Sequence, residues 1–324
     1  MRLVMVELNR FWSRRAVALL LLTAALLMAA LAGFTIWESR PVSPSDRAAA
    51  ERVLERELER PFYQRDVARC ERNPDQLTGR GSTTEQCVAE ITPPLRVFLA
   101  REPLSLAREQ VDSGLVALML VGAVMIIVGT TFAGADWATG SLSNQLLFEP
   151  RRNRVWWAKG AAAFLATLVA SAVLLAAFWC ALYVTAQIRD IPTDGAVLRD
   201  IGWTVGRGVL LAASGALGAF ALTMLVRHTV GTLAVLFAYA LGGEALTASL
   251  PIANAGQWSL TNNVLAWIRD GTRYFDDSIV CPGGQVVCRQ EALLTLTDAA
   301  TYLGVLLLVV VVFSTATFWR RDVP

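Results

Sequence analysis

Side chains able to do chemistry are scarce in this chain of 324 residues, and their placement excludes most catalysis at the outset. His228 is the only histidine and Lys159 the only lysine among 29 basic residues. A phosphate-binding loop needs Gly-x-x-x-x-Gly-Lys-Ser/Thr, because its lysine and backbone amides hold the phosphates. Lys159 instead follows Trp-Trp-Ala and precedes Gly160, so this chain cannot be a self-contained ATPase of that kind. A metalloprotease HExxH needs two histidines. An intramembrane serine hydrolase needs a serine and a histidine facing each other at one depth, but Ser214 falls inside an apolar run and His228 in a turn. No catalytic residue and no metal site are assigned.

The cysteines have a different use. Cys70 and Cys87 share one polar segment, Cys281 and Cys288 another. Four cysteines allow three pairings, and the sequence-local pair of disulfides, Cys70–Cys87 with Cys281–Cys288, is preferred. Structural zinc is the alternative, but the closely spaced ligand pairs it normally uses are missing. Cys180, beside Trp179 in an apolar run, reads as a small buried hydrophobe. Two charges, Arg207 and Glu244, fall at depth within apolar stretches. Isolated charges there tend to pair or to line an aqueous path, so Arg207 and Glu244 are expected to form an ion pair, a structural tie rather than a substrate contact.

The elements that must position these groups are membrane helices. Hydrophobic residues make up 55% of the chain and charged ones 17%, against about 25% charged in a soluble domain. The apolar residues come in charge-free runs long enough to cross a bilayer, which excludes a soluble enzyme and a disordered chain. Spans are placed at 16–37, 113–135, 160–188, 201–226, 229–250 and 299–319. A cleaved signal peptide competes for the first, yet its run exceeds the usual h-region of about 7–15 residues. The expected fold is an all-α membrane protein with six transmembrane helices.

Six spans put both termini on one side. The segments on that side carry eleven basic and four acidic residues, a net of +7, whereas the opposite side sums to −4. The positive-inside rule therefore makes both termini cytoplasmic and the cysteine-bearing segments external, where disulfides persist. Basic tracts dense enough for nucleic acid are absent.

Outside the spans, 1–15 reads as an interfacial elbow helix with Val4, Leu8, Phe11 and Trp12 on its apolar side. Residues 38–112 are too long for a plain connection and read as a helical cap: one helix N-capped by Ser45 and ending before Pro61, and a second from Leu95 to Val111 running into span two. Residues 251–298 hold Trp258, Leu260, Val264, Leu265, Trp267 and Ile268, which suggest a short helix either dipping into the outer leaflet or lying on it. Residues 320–324 form a cytoplasmic tail.

The strongest signal is the cytoplasmic segment 136–159. Asp136 and Trp137 close span two, Gly140 and Ser141 open a short helix with Leu142, Leu146 and Leu147 on one face, and Pro150 ends it. Arg151, Arg152, Arg154 and Lys159 follow. A stiff helix between two spans can take a push from a cytoplasmic partner and move both. Anchoring to lipid headgroups is the competing use, at about 1 kcal/mol per basic residue.

This pattern of an acid after span two, Gly-Ser opening a leucine-rich helix, a proline with arginine, and a lysine opening span three resembles the permease subunit of ABC-2 type exporters. The elbow, the six spans and the apolar outer element before span six are similar to that family too. The resemblance implies that 136–159 is a coupling helix docking on a separate ABC ATPase subunit, which holds ATP and Mg. It also implies that this chain binds no cofactor and is not itself an enzyme, that it pairs with a second permease copy or a similar chain among membrane lipid, and that it works in the plasma membrane. The substrate it would export is amphiphilic or lipid-like. Two features depart from the family pattern: the long cysteine-bearing segment after span one, and Asp136 where glutamate is commoner. A non-transporting sensor or assembly protein acting through the cap is the alternative; a secondary transporter is weaker, since no internal repeat is visible.

Overall fold

The computed structural model describes residues 2–74, 83–99, 101, 103–249, 254–276 and 290–320. Helix α1 (Arg2–Ser13) meets α2 (Arg15–Glu38) at Arg14, whose extended backbone interrupts the helical run. Three helices of the cap follow: α3 (Pro44–Leu58), α4 (Pro61–Arg72) and α5 (Thr84–Ile91). A single turn, α6 (Leu106–Glu109), leads into α7 (Ser113–Ala138). Then come the short α8 (Ser141–Phe148), the 37-residue α9 (Arg152–Ile188), α10 (Gly195–Val226) and α11 (Thr229–Ser249). Helix α12 (Leu260–Arg269), strands β1 (Thr272–Phe275) and β2 (Glu291–Leu294), and α13 (Leu296–Arg320) complete the chain. Among the described residues, six helices are long and apolar enough to cross a membrane: α2, α6–α7 taken together, α9, α10, α11 and α13.

Small residues set the centre of this bundle. A Cβ on Gly129 of α7 would collide with the carbonyl oxygen of Ala216 on α10, and one on Gly208 of α10 with the Leu118 side chain. Close backbone approach of this kind is how membrane helices gain dispersion energy without a hydrophobic driving force. Two apolar clusters fill the bundle. Val121, Met125, Leu175, Trp179 and Leu182 belong to one; Phe11, Phe132, Trp156, Phe220 and Phe318 belong to the other. Because Phe11 and Phe318 belong to one cluster, α1 and the C-terminal part of α13 lie at the same end of the bundle, here called the elbow end. At the opposite, cap end, Arg189 donates to the carbonyls of Ile36 (2.8 Å) and Ser39 (2.7 Å). A cation thus meets the C-terminal carbonyls of α2, where the helix dipole favours it.

The cap is stapled by Cys70–Cys87, both buried between α4 and α5. Cys281 and Cys288 lie outside the described residues. Several sequence expectations are corrected. Ser43, not Ser45, caps α3, accepting from the Asp46 amide, because Pro44 suits the first helical position. The helix expected from Leu95 to Val111 is broken into a 3-10 turn at Leu95–Phe98 and the single-turn α6, with Pro103, which lacks an N–H, between them. The 251–298 segment contains an antiparallel ribbon pairing Thr272 with Leu294 and Phe275 with Glu291. Cys180 is exposed rather than buried.

Candidate functional site

The elbow end concentrates the chain's buried charge. The last turn of α7 delivers Asp136; Gly140, in the left-handed region at φ 65° that glycine tolerates, turns the backbone into α8. Ser141 opens α8, and Leu142 anchors it in the apolar cluster around Phe132. After Pro150 the chain re-enters the bundle as α9, which carries Lys159 two turns in. Helix α1 brings Glu7.

These groups converge. The Lys159 ammonium donates to Asp136 Oδ2 at 2.7 Å and to Glu7 Oε2 at 2.9 Å. The Arg14 guanidinium pairs with Asp136 Oδ1 and also donates to the Phe132 carbonyl. Ser141 Oγ donates to the same Oδ1 at 2.7 Å. Gln145 Nε2 donates to Glu7 Oε1 at 2.6 Å, and Arg10 bonds both Glu7 Oε1 (3.3 Å) and Gln145 Oε1 (3.2 Å). Lys159, Glu7 and Asp136 are fully buried. The Phe132 ring lies under Arg14 (4.7 Å) and Lys159 (5.8 Å) and touches Phe11 and Phe220, closing the site toward the apolar core.

Burying an ion costs several kcal/mol unless its charge and hydrogen bonds are met. Here Glu7 and Asp136 balance Lys159 and Arg14, and each of the four carboxylate oxygens receives a donor. Such a network fixes geometry: it ties α1, the start of α2, α7, α8 and α9 into one unit. Trp156 extends the tie, donating from Nε1 to Ser314 of α13 at 3.2 Å. Arg227, at the α10–α11 turn, lies over the Trp137 ring at 4.8 Å.

The residues expected to couple to a partner therefore divide. Asp136, Leu142 and Lys159 face inward and are buried within the bundle. Ser141, Trp137, Leu146 and Arg152 are half-buried, whereas Gly140, Pro150, Arg151 and Arg154 are exposed. Leu147, expected beside Leu142 and Leu146, is instead 79% exposed, next to Phe148 at 91%. Arg154 pairs loosely with Glu149 at 3.5 Å.

The expected Arg207–Glu244 ion pair is not formed. Arg207 pairs with Asp270 at 3.1 Å. The Glu244 carboxylate accepts from Ser259 Oγ (2.9 Å) and the Thr261 amide (2.7 Å), capping the start of α12. Helix α12 is responsible: its Trp267 donates to the Arg207 carbonyl at 2.9 Å, which docks α12 against α10 and gives each charge its own partner.

Sequence reasoning missed Glu7, Arg10, Arg14 and Gln145 as site residues. One signal pointed to Glu7: a lone lysine in an apolar helix needs a counter-ion, and Glu7 is the only acid before residue 38. Among the described residues no group of three His, Cys, Asp or Glu side chains is placed to hold a metal. Searches for related proteins found no matching family model, no matching curated protein and no matching solved structure.

Proposed function

We propose that this chain is the membrane-spanning subunit of an ABC-2-like exporter, with both termini cytoplasmic, driven by a separate ABC ATPase that binds ATP and Mg. The observation that carries the reading is the two-sided build of α8. Its inner side is tied to α7 through Ser141–Asp136 and to α1 through Gln145–Glu7, two acids that both bond Lys159 of α9, and its outer tip presents Leu147 and Phe148 to solvent beside Arg151 and Arg154. An exposed apolar tip rimmed by arginines suits a protein partner, since interfaces favour aromatic and arginine anchors.

In this mechanism nucleotide-driven closure of the ATPase pushes the α8 tip. The buried ions transmit that push to α1, α7 and α9 together, because bending the unit would expose unpaired charge. The spans rock, and an amphiphilic or lipid-like substrate leaves at the cap end. Helices α11 and α13 keep little of their surface inside one chain, which leaves room for a second permease copy or a similar chain, and for lipid.

The test is purification of the tagged chain from its native membrane, followed by a nucleotide-hydrolysis assay. A P-loop ATPase should co-purify, and the double variant Leu147→Asp, Phe148→Asp should lose it while remaining monodisperse. Wild-type chain that recruits no ATPase overturns the proposal.

A further inference from the structure

At the cap end, between α7, α10 and α12, lies a cavity of about 700 Å³ that the coupling machinery does not use. Asp200, Trp203 and Arg207 line it from one side of α10, at the i, i+3, i+7 spacing that places residues on a common face. The end of α12 contributes Arg269 and Asp270, and Val111 and Leu115 supply apolar lining. Two carboxylates and two guanidiniums therefore face one space, with no net charge.

The order of these groups along α10 is informative. Helix α10 starts at Gly195, at the water end, so Arg207 lies seven residues, or about 10 Å, nearer the middle of the bundle than Asp200. The Arg207 side chain is 20% exposed and uses one nitrogen on Asp270, itself 62% exposed. Its remaining donors, and the Asp200 carboxylate, have no partner among the described residues. A partly buried arginine with spare donors is suited to a phosphate or carboxylate oxygen, where its planar fork pairs through two N–H groups. The exposed Trp203 ring next to Asp200 is suited to an ammonium.

We propose that this cavity binds the zwitterionic headgroup of a membrane phospholipid, with the phosphate at Arg207, the ammonium at Asp200 and Trp203, and the chains over Val111 and Leu115. In a phospholipid the phosphate lies deeper than the ammonium, which is the order α10 presents, whichever leaflet this end faces. A net-anionic headgroup would leave Asp200 and Asp270 opposed to like charge. The inference deepens the exporter reading by naming a headgroup class for its substrate, and rests on that reading for transport; the binding itself needs no ATPase.

The experiment is native mass spectrometry of the full chain released from mixed micelles holding equal amounts of phosphatidylethanolamine and phosphatidylglycerol. Wild type should retain phosphatidylethanolamine at least fivefold over phosphatidylglycerol. Asp200→Asn, at an exposed position that folding does not need, should bring the ratio near parity, and Arg207→Gln should abolish retention of both. Equal retention by wild type, or an unchanged ratio in Asp200→Asn, overturns the site. Retention of chain-free glycerophosphoethanolamine as tight as that of the lipid overturns the lipid assignment. ATPase capture is scored on the same preparations: capture without headgroup preference removes this site and leaves the exporter reading standing, and preference without capture does the reverse.

Discussion

Lys159 of α9 meets Glu7 of α1 at 2.9 Å, across a sequence separation of 152 and with no solvent on either side chain. The contact makes the first helix part of the bundle rather than a float on its surface. It also explains why an acid is tolerated on the inward side of α1, next to Phe11: the acid is needed there to neutralise an ammonium that α9 cannot bring to water.

Removing the cation should therefore cost more than removing one anion. Lys159→Met leaves Glu7 with only the partly exposed Arg10 and Asp136 with Arg14, and removes the buried cation the two acids share, a loss of about 3–5 kcal/mol. Thermal unfolding in detergent should show Lys159→Met well below Glu7→Gln, with partial recovery in the combined Glu7→Gln, Asp136→Asn, Lys159→Met variant. A lone Lys159→Met as stable as wild type would contradict the network.

Glu244 acts as a remote cap for α12. Glu244→Leu removes the acceptor used by Ser259 and Thr261, a local cost of about 1–2 kcal/mol by analogy with N-cap losses. Hydrogen exchange at the amides of Leu260–Arg269 should accelerate, and Glu244→Gln, which keeps an acceptor, should show a smaller change. Equal exchange in all three proteins would remove the capping role.

The Cys70–Cys87 bond closes a sequence separation of 17 residues, worth about 3 kcal/mol of chain entropy. That gain belongs to the cap, whose helices contact one another more than they contact the spans. Cys70→Ser, Cys87→Ser should expose the arginines of α4 to faster tryptic cleavage and leave the unfolding of the bundle unchanged. A matching drop in bundle stability would mean that cap and spans unfold together.

What could be read without coordinates was the long-period information. Apolar runs located all six long helices, since a span needs only length and absence of charge, and local cysteine spacing sufficed for Cys70–Cys87. Rotation about the helix axis was not legible. Sequential order made α10 and α11 neighbours, which suggested Arg207 facing Glu244, but the inserted α12 turned each charge to its own partner. Asp136, Ser141 and Lys159 stood out by type and spacing, yet their inward facing depended on Glu7, whose helix carries apolar residues on several sides. The β ribbon was hidden because Thr272–Phe275 and Glu291–Leu294 are four residues each and far apart in sequence.

Burial of the sole lysine has a practical corollary. Acylating reagents find no lysine at the surface, so Lys159 of the folded chain should resist them. Each acyl group that does reach Lys159 records one moment when the first helix has swung away, and the labelling rate becomes a clock for that motion, readable without any engineered probe.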